Sequence, residues 1–403
     1  MNCGRGIRPS AVDGRSNTHC QPGDDLDKQT LASTMSAGKK TGDSEQGSPG
    51  AAEPASALPA AGRAGQSSRV QSVDSLRGLA AFGVMLYHFV YLDALFPSDT
   101  SFSSSMKAAT FYGHLGVPVF FVISGFVLPY SLEAAGYHWR NFRTFVAKRL
   151  VRLEPTYLLS LAIHLGLWAI ASRLPTFRGE PLQIEPGRLL SHLGYLSGLL
   201  GYQWYSENYW TLGIEFQFYI VMALALPLLI GPNPWWRWAA IVSLLGADLA
   251  QVPPTLFARY GALFALGIET FVLRSPTRRS QVDATLAGAA VVVLAWSDGW
   301  VTAAAAAATA AIIGFDALPV WRPILWLGTV SYSLYLFHTI VGQRVLHVGE
   351  RFATNDASRV VVLMAAIAAS LVASWLVCFF VEWPSQRLAS RIRYHKTPAT
   401  VGD

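Results

Sequence analysis

Ten apolar segments, joined by short loops, restrict this chain to one kind of fold. They run over 74–95, 114–133, 154–172, 210–230, 237–251, 255–273, 283–298, 300–315, 323–346 and 359–381. A bilayer core about 30 Å thick is crossed by about 20 apolar helical residues. Of the 403 residues only 14% are charged and 52% are hydrophobic, whereas a soluble domain carries about 25% charged residues. The expectation is an all-α, multi-pass membrane bundle of about ten transmembrane helices, built on residues 71–390.

Charge sets the orientation. Arg140, Arg143, Lys148, Arg149 and Arg152 follow the second segment, Arg274, Arg278 and Arg279 the sixth, and Arg387, Arg391, Arg393 and Lys396 the tenth. Ten crossings put all three clusters on one side, which the positive-inside rule makes the cytoplasm. Both termini are then inside, and 173–209 lies outside. Within it, 189–202 is apolar but short and reads as a re-entrant or interfacial helix. The net charge of +6 sits mainly in these loops and shows no aromatic–basic pattern of the kind that binds nucleic acid. Residues 1–70, rich in Gly, Ser, Ala and Pro, are expected to be a disordered and dispensable cytoplasmic tail without a signal-peptide core. Residues 391–403 form a basic tail. Cys3, Cys20 and Cys378 have neither disulfide nor metal-ligand spacing.

Inside the first segment, Arg77 and His88 are eleven positions apart. Eleven helical residues return to within about 20° of one face and rise roughly 16 Å. With Arg77 at a membrane edge, His88 is near the midplane, where an ionisable group is costly and marks a functional site; a hydrogen bond to a neighbouring helix is the plainer alternative. Four further patterns follow. In G-V-P-V-F-F-V-I-S-G-F (Gly116–Phe126), Ser124 and Gly125 suit close helix packing. In R-L-V-R-L-E-P-T-Y, Arg149 and Arg152 share a face at the mouth of the third segment, with Pro155 near its start. Two guanidiniums there suit a phosphate clamp, or simple anchoring at the headgroups. In Y-W-T-L-G-I-E-F-Q-F-Y, Trp210 suits an interface and Glu215 needs a partner, with Arg77 or His88 as candidates. In V-S-Y-S-L-Y-L-F-H, Tyr335 precedes a second deep histidine, His338. Glu382, at the end of the last segment, is expected to pair with a basic loop residue.

Together these residues resemble the acyltransferase-3 family of integral membrane acyltransferases. Its Arg/Lys-x10-His, FF-x-x-SGF, R-x-x-R, W-S/T-L-x-x-E-x-x-F-Y, S-Y-x-x-Y-x-x-H and terminal E-x-P motifs all occur in family order over roughly 72–388. The resemblance implies about ten helices, a bacterial-type inner (plasma) membrane, and transfer of an acyl group, by default acetyl, from cytosolic acyl-CoA to a hydroxyl. The usual acceptor is a sugar in a surface polysaccharide, glycolipid or glycosylated metabolite. The extracytoplasmic SGNH-like domain of some members is not expected here, so the membrane domain or a partner would complete the transfer.

An alcohol needs a base or an acylated relay to react with a thioester, and no metal is required. His88, with an unperturbed pKa of about 6.5, fits either role. Arg149 and Arg152 would hold donor phosphates. Arg77 would orient the donor or pair with Glu215, and His338, Tyr335, Trp210 and Ser124 would line the substrate site. Two other classes compete. A transporter or flippase of glycolipid intermediates would use the same His, Glu and Arg as a relay, and a scaffold would use them only for packing.

Overall fold

The computed structural model describes residues 70–394 apart from 98–99, 176, 178 and 319–320. The expected N-terminal tail and most of the basic C-terminal tail lie outside the described residues. The described residues fold into helices and connecting turns, without strands. In chain order these are α1 (Gln71–Leu86), α2 (Ser101–Phe111), α3 (Gly116–Ala134), α4 (Phe142–Ala171), α5 (Pro186–Ser191), α6 (Trp210–Leu229) and α7 (Pro234–Leu249). They continue with α8 (Gly261–Leu273), α9 (Gln281–Ser297), α10 (Trp300–Phe315), α11 (Arg322–Phe337), α12 (Gln343–Gly349), α13 (Asp356–Val377) and α14 (Trp383–Arg391).

A helix lies on each of the ten apolar segments. Five continuous helical stretches are long and apolar enough to cross a membrane: Ser101–Ala134, Trp139–Ala171, Glu207–Leu229, Arg322–Phe352 and Asp356–Arg391. Shorter apolar helices occupy Gln281–Ser297 and Trp300–Phe315.

Three boundaries differ from the sequence reading. The third segment was expected to start at 154, but α4 starts at Phe142, so Pro155 lies inside the helix and not near its start. The charged residues of 142–153 hid a helical stretch that is half-buried rather than looped. Helix α2 falls in a Ser-rich stretch with no apolar period, and Thr100 caps it by accepting the Ser103 N–H at 3.1 Å. The 189–202 segment is an irregular hook rather than one helix. Gly194 and Tyr195 take left-handed φ values of 73° and 62°, and the Gly194 N–H donates to Glu154 Oε1 in α4 at 2.9 Å. Leu190, Leu193, Leu196, Leu199 and Leu200 face outward while Ser191, His192, Tyr195 and Ser197 are buried. That split is the one an interfacial segment needs.

The contact that positions the site is between α1 and α11. A Cβ at Gly78 would stand 2.6 Å from the Gly328 nitrogen, and one at Gly328 would overlap the Asp74 carbonyl. Only glycine permits this approach. Gly125 and Gly267 do the same for α3 and α8, where a Cβ on either would run into backbone of the other helix. Beside that second crossing, Phe218 and Phe264 stack at 4.1 Å within the largest apolar cluster.

Three helices end in π-helical turns: Tyr87–Tyr91 after α1, His338–Gly342 after α11 and Cys378–Glu382 after α13. Each turn carries one of the ionisable motif residues His88, His338 and Glu382. Such turns are rare and concentrate at functional sites.

Candidate active site

His88 lies ten residues beyond Gly78 (88 − 78) and His338 ten beyond Gly328 (338 − 328), so the tight α1–α11 crossing carries the two rings toward each other. Their centroids are 5.0 Å apart. His88 Nδ1 is 2.8 Å from the Val84 carbonyl, and His338 Nδ1 is 2.9 Å from the Leu334 carbonyl. A carbonyl only accepts, so each Nδ1 carries its proton. His338 Nε2 is then an acceptor, 3.4 Å from His88 Nδ1, and His88 Nε2 holds the lone pair. His338 is fully buried, whereas His88 is half-buried and borders a cavity.

Two cavities meet at Val117, Phe121 and Tyr335, which line both. The first, about 150 Å³, is bordered by Arg77, Arg149 and Arg152 together with Ser124 and Glu215. Glu215 is not bound by Arg77 or His88, the partners its sequence context suggested. Ser124 Oγ donates to its Oε1 at 2.7 Å and Tyr219 donates to the same oxygen. The Tyr219 ring in turn lies 4.8 Å from the Arg149 guanidinium. The S-G-F motif therefore divides its work: Gly125 packs against α8 while Ser124 holds a carboxylate. Among the described residues none of the three arginines forms an ion pair, so the cavity carries more positive than negative charge. An excess of half-buried cations favours an anion from elsewhere.

The second cavity, about 440 Å³, is bordered by His88, His114, Tyr87, Trp210, Tyr260 and Glu207 among others. Trp210 and Tyr260 form a tilted aromatic pair with centroids 5.5 Å apart, and their other side borders a third cavity of about 320 Å³. Tyr335 is fixed between the first two cavities by the 2.7 Å bond between its hydroxyl and Thr211 Oγ1.

His88, Trp210 and Tyr335 thus share one chamber, and Arg77, Arg149, Arg152, Ser124, Glu215 and Tyr335 share its neighbour. His338 stands behind His88 rather than in either lining. Glu382 was expected to pair with a basic loop residue; it is instead buried, accepting from Ser333 Oγ at 2.6 Å and Gln386 Nε2 at 3.0 Å. Its position in a π turn aims it inward at α11, away from the loops. Tyr219, Tyr260 and Glu207 are site residues that the sequence reading passed over. Tyr219 lies one helical turn after Glu215, a spacing at which side chains meet.

Comparison with known proteins places the chain in a family. A family model described as an acyltransferase domain matches residues 70–379. A membrane-bound transacylase, BcsY, of Komagataeibacter xylinus is 30% identical over 302 residues, covering 67% of this chain and 72% of its own. The acyltransferase MdmB of Streptomyces mycarofaciens is 26% identical over 375 residues, 81% of this chain and 94% of its own. The O-acetyltransferase OatA of Staphylococcus aureus is 28% identical over 190 residues, 45% of this chain and 29% of its own. No solved structure matches. With five of the six ordered motifs contributing to the walls of two adjoining cavities, and a family model matched over residues 70–379, the chain belongs to the acyltransferase-3 family of membrane acyltransferases.

Proposed function

We propose that this protein moves an acyl group, by default acetyl, from cytosolic acyl-CoA to a sugar hydroxyl, in a bacterial-type inner membrane that it crosses ten times with both termini inside. The observation that carries the reading is the adjoining pair of cavities, one with three arginines that form no ion pair among the described residues and the other with a histidine whose Nε2 holds a lone pair that can accept a proton. Arg77, Arg149 and Arg152 hold the donor phosphates through charge-assisted hydrogen bonds. Glu215, held by Ser124 and Tyr219, keeps Arg149 in place through the Tyr219 ring. His88 Nε2 takes the acceptor hydroxyl proton as its oxygen attacks the thioester carbonyl. The carbon–sulfur bond breaks, and the proton passes from His88 to the leaving thiolate.

Because His88 borders the acceptor chamber and not the arginine cavity, a base role is favoured over an acylated-histidine relay. A transporter would move no label from donor to acceptor. The deciding experiment supplies membranes with acetyl-CoA labelled on the acetyl group and follows label into carbohydrate and lipid-linked fractions. Label transfer supports the enzyme, and its absence with every carbohydrate fraction tried overturns it. Arg149→Ala and Arg152→Ala are each expected to raise the KM for acyl-CoA about 10- to 100-fold, the scale of one lost charge-assisted hydrogen bond of about 1.5–3 kcal/mol. Equal KM values for both variants and wild type would leave the arginines as headgroup anchors.

A further inference from the structure

The two chambers differ in charge as well as in size. The arginine cavity holds three guanidiniums against one carboxylate. Among the described residues the His88 chamber is bordered by no lysine or arginine and by two carboxylates, Glu207 and Asp298. Asp298 is neutralised from behind by Arg259, whose Nη2 lies 3.0 Å from its Oδ1. Glu207 forms no ion pair among the described residues, and its side chain is exposed at the chamber wall. Flat rings also line the chamber: Trp210 pairs with Tyr260, and Tyr87 with His114, the latter two centroids 5.6 Å apart. A chamber of about 440 Å³ falls within the range of small-molecule sites, about 300–1,000 Å³, which are mostly apolar and aromatic with a few convergent polar groups.

We infer that this chamber takes uncharged pyranosides and rejects acidic ones, with Glu207 as the specificity-determining residue. The inference rests on the acyl-transfer reading above and deepens it. A pyranose presents a C–H face to the Trp210–Tyr260 pair and hydroxyls that donate to the Glu207 carboxylate. A uronate ring has the same face but brings a second negative charge toward Glu207, and among the described residues no lysine or arginine borders the chamber to receive it. Discrimination of this kind comes from repulsion of the wrong ligand as much as from contacts to the right one. Because Glu207 is exposed, the repulsion is screened by salt.

The test uses the full chain in detergent with labelled acetyl-CoA and two probe acceptors, 4-nitrophenyl β-D-glucopyranoside and 4-nitrophenyl β-D-glucuronide. Wild type is expected to favour the glucoside at least tenfold in kcat/KM, equivalent to about 1.4 kcal/mol, and less so at high salt. Glu207→Gln should bring the ratio to within about threefold of unity, and Glu207→Lys should favour the glucuronide. A wild-type preference for the glucuronide, a ratio near one, or a ratio untouched by both substitutions overturns the inference. So does acetylation of neither probe while label still enters native membrane carbohydrate, a result that leaves acyl transfer standing. No label in any fraction would instead remove the acyl-transfer reading, and this inference with it.

Discussion

Replacing His88 with alanine is expected to lower acyl transfer by about 10²–10⁴-fold, the range ascribed to a positioned general base, at unchanged expression and unchanged KM for acyl-CoA. The side chain borders the larger chamber and not the arginine cavity, so on the proposed reading its loss should not reach the donor. Label transfer by His88→Ala at the wild-type rate would remove it from the chemistry. His338 supports it differently. Its Nε2 accepts, at a long 3.4 Å, from the nitrogen that must stay protonated for His88 Nε2 to act. His338→Ala is therefore expected to cost about tenfold in kcat, as fits one modest hydrogen bond of 0.5–1.5 kcal/mol. His338→Gln, whose amide oxygen can also accept, should recover part of the loss. A role in packing alone would make both variants equally unstable and would show no such recovery.

Gly328→Leu is expected to be the most damaging substitution for stability. A side chain there meets the Asp74 backbone rather than a movable side chain, so α1 and α11 must separate. Overpacking of cores costs typically 1–3 kcal/mol, and a backbone obstacle puts this case at about 3 kcal/mol or more. Heating the detergent-solubilised protein and following its monodisperse fraction would show the loss as a lower midpoint. Gly166→Leu, at a position in α4 with nothing within 4 Å of a Cβ, should leave the midpoint unchanged. Because both histidines lie ten residues beyond this crossing, any Gly328→Leu protein that still folds should also lose activity through separation of the rings. Wild-type stability and activity in Gly328→Leu would show that the two helices are not held at this point.

Much of this was legible in the sequence for a physical reason. Apolar runs long enough for a bilayer leave the backbone few options, so each became helix. Motif residues such as His88, Arg152 and Glu215 stood out because ionisable groups in apolar surroundings need explanation. What stayed hidden depended on the third dimension or on weak local pattern. The start of α4 has its apolar stripe, Phe142, Phe145, Val146, Leu150 and Leu153, interleaved with Arg143, Lys148, Arg149 and Arg152 and so masked by charge, and the Ser-rich α2 reads as loop. Glu215 was matched to charged partners because charge is visible in a sequence. Its real partners, Ser124 and Tyr219, are neutral hydroxyls brought in by the α3–α6 contact and by one helical turn. Glu207 belongs to no motif in the sequence, and only the chamber gives it a place.

The π turns have a consequence for how such helices tolerate change. In the turn after α1 the Leu92 N–H reaches back five residues to the Tyr87 carbonyl, one more than an α-helix spans. Helices α11 and α13 run on through their turns into α12 and α14, so each consists of two lengths that are out of phase, while the turn after α1 sets the register of the loop residues that follow it. Removing a single residue after His88 within Tyr87–Tyr91 would restore an unbroken α-helix and so improve the local backbone. It would also swing everything that follows by about 100°, drawing buried Leu95 and Phe96 out of the core. In these three helices the side chains downstream keep their places only because the backbone carries one extra residue.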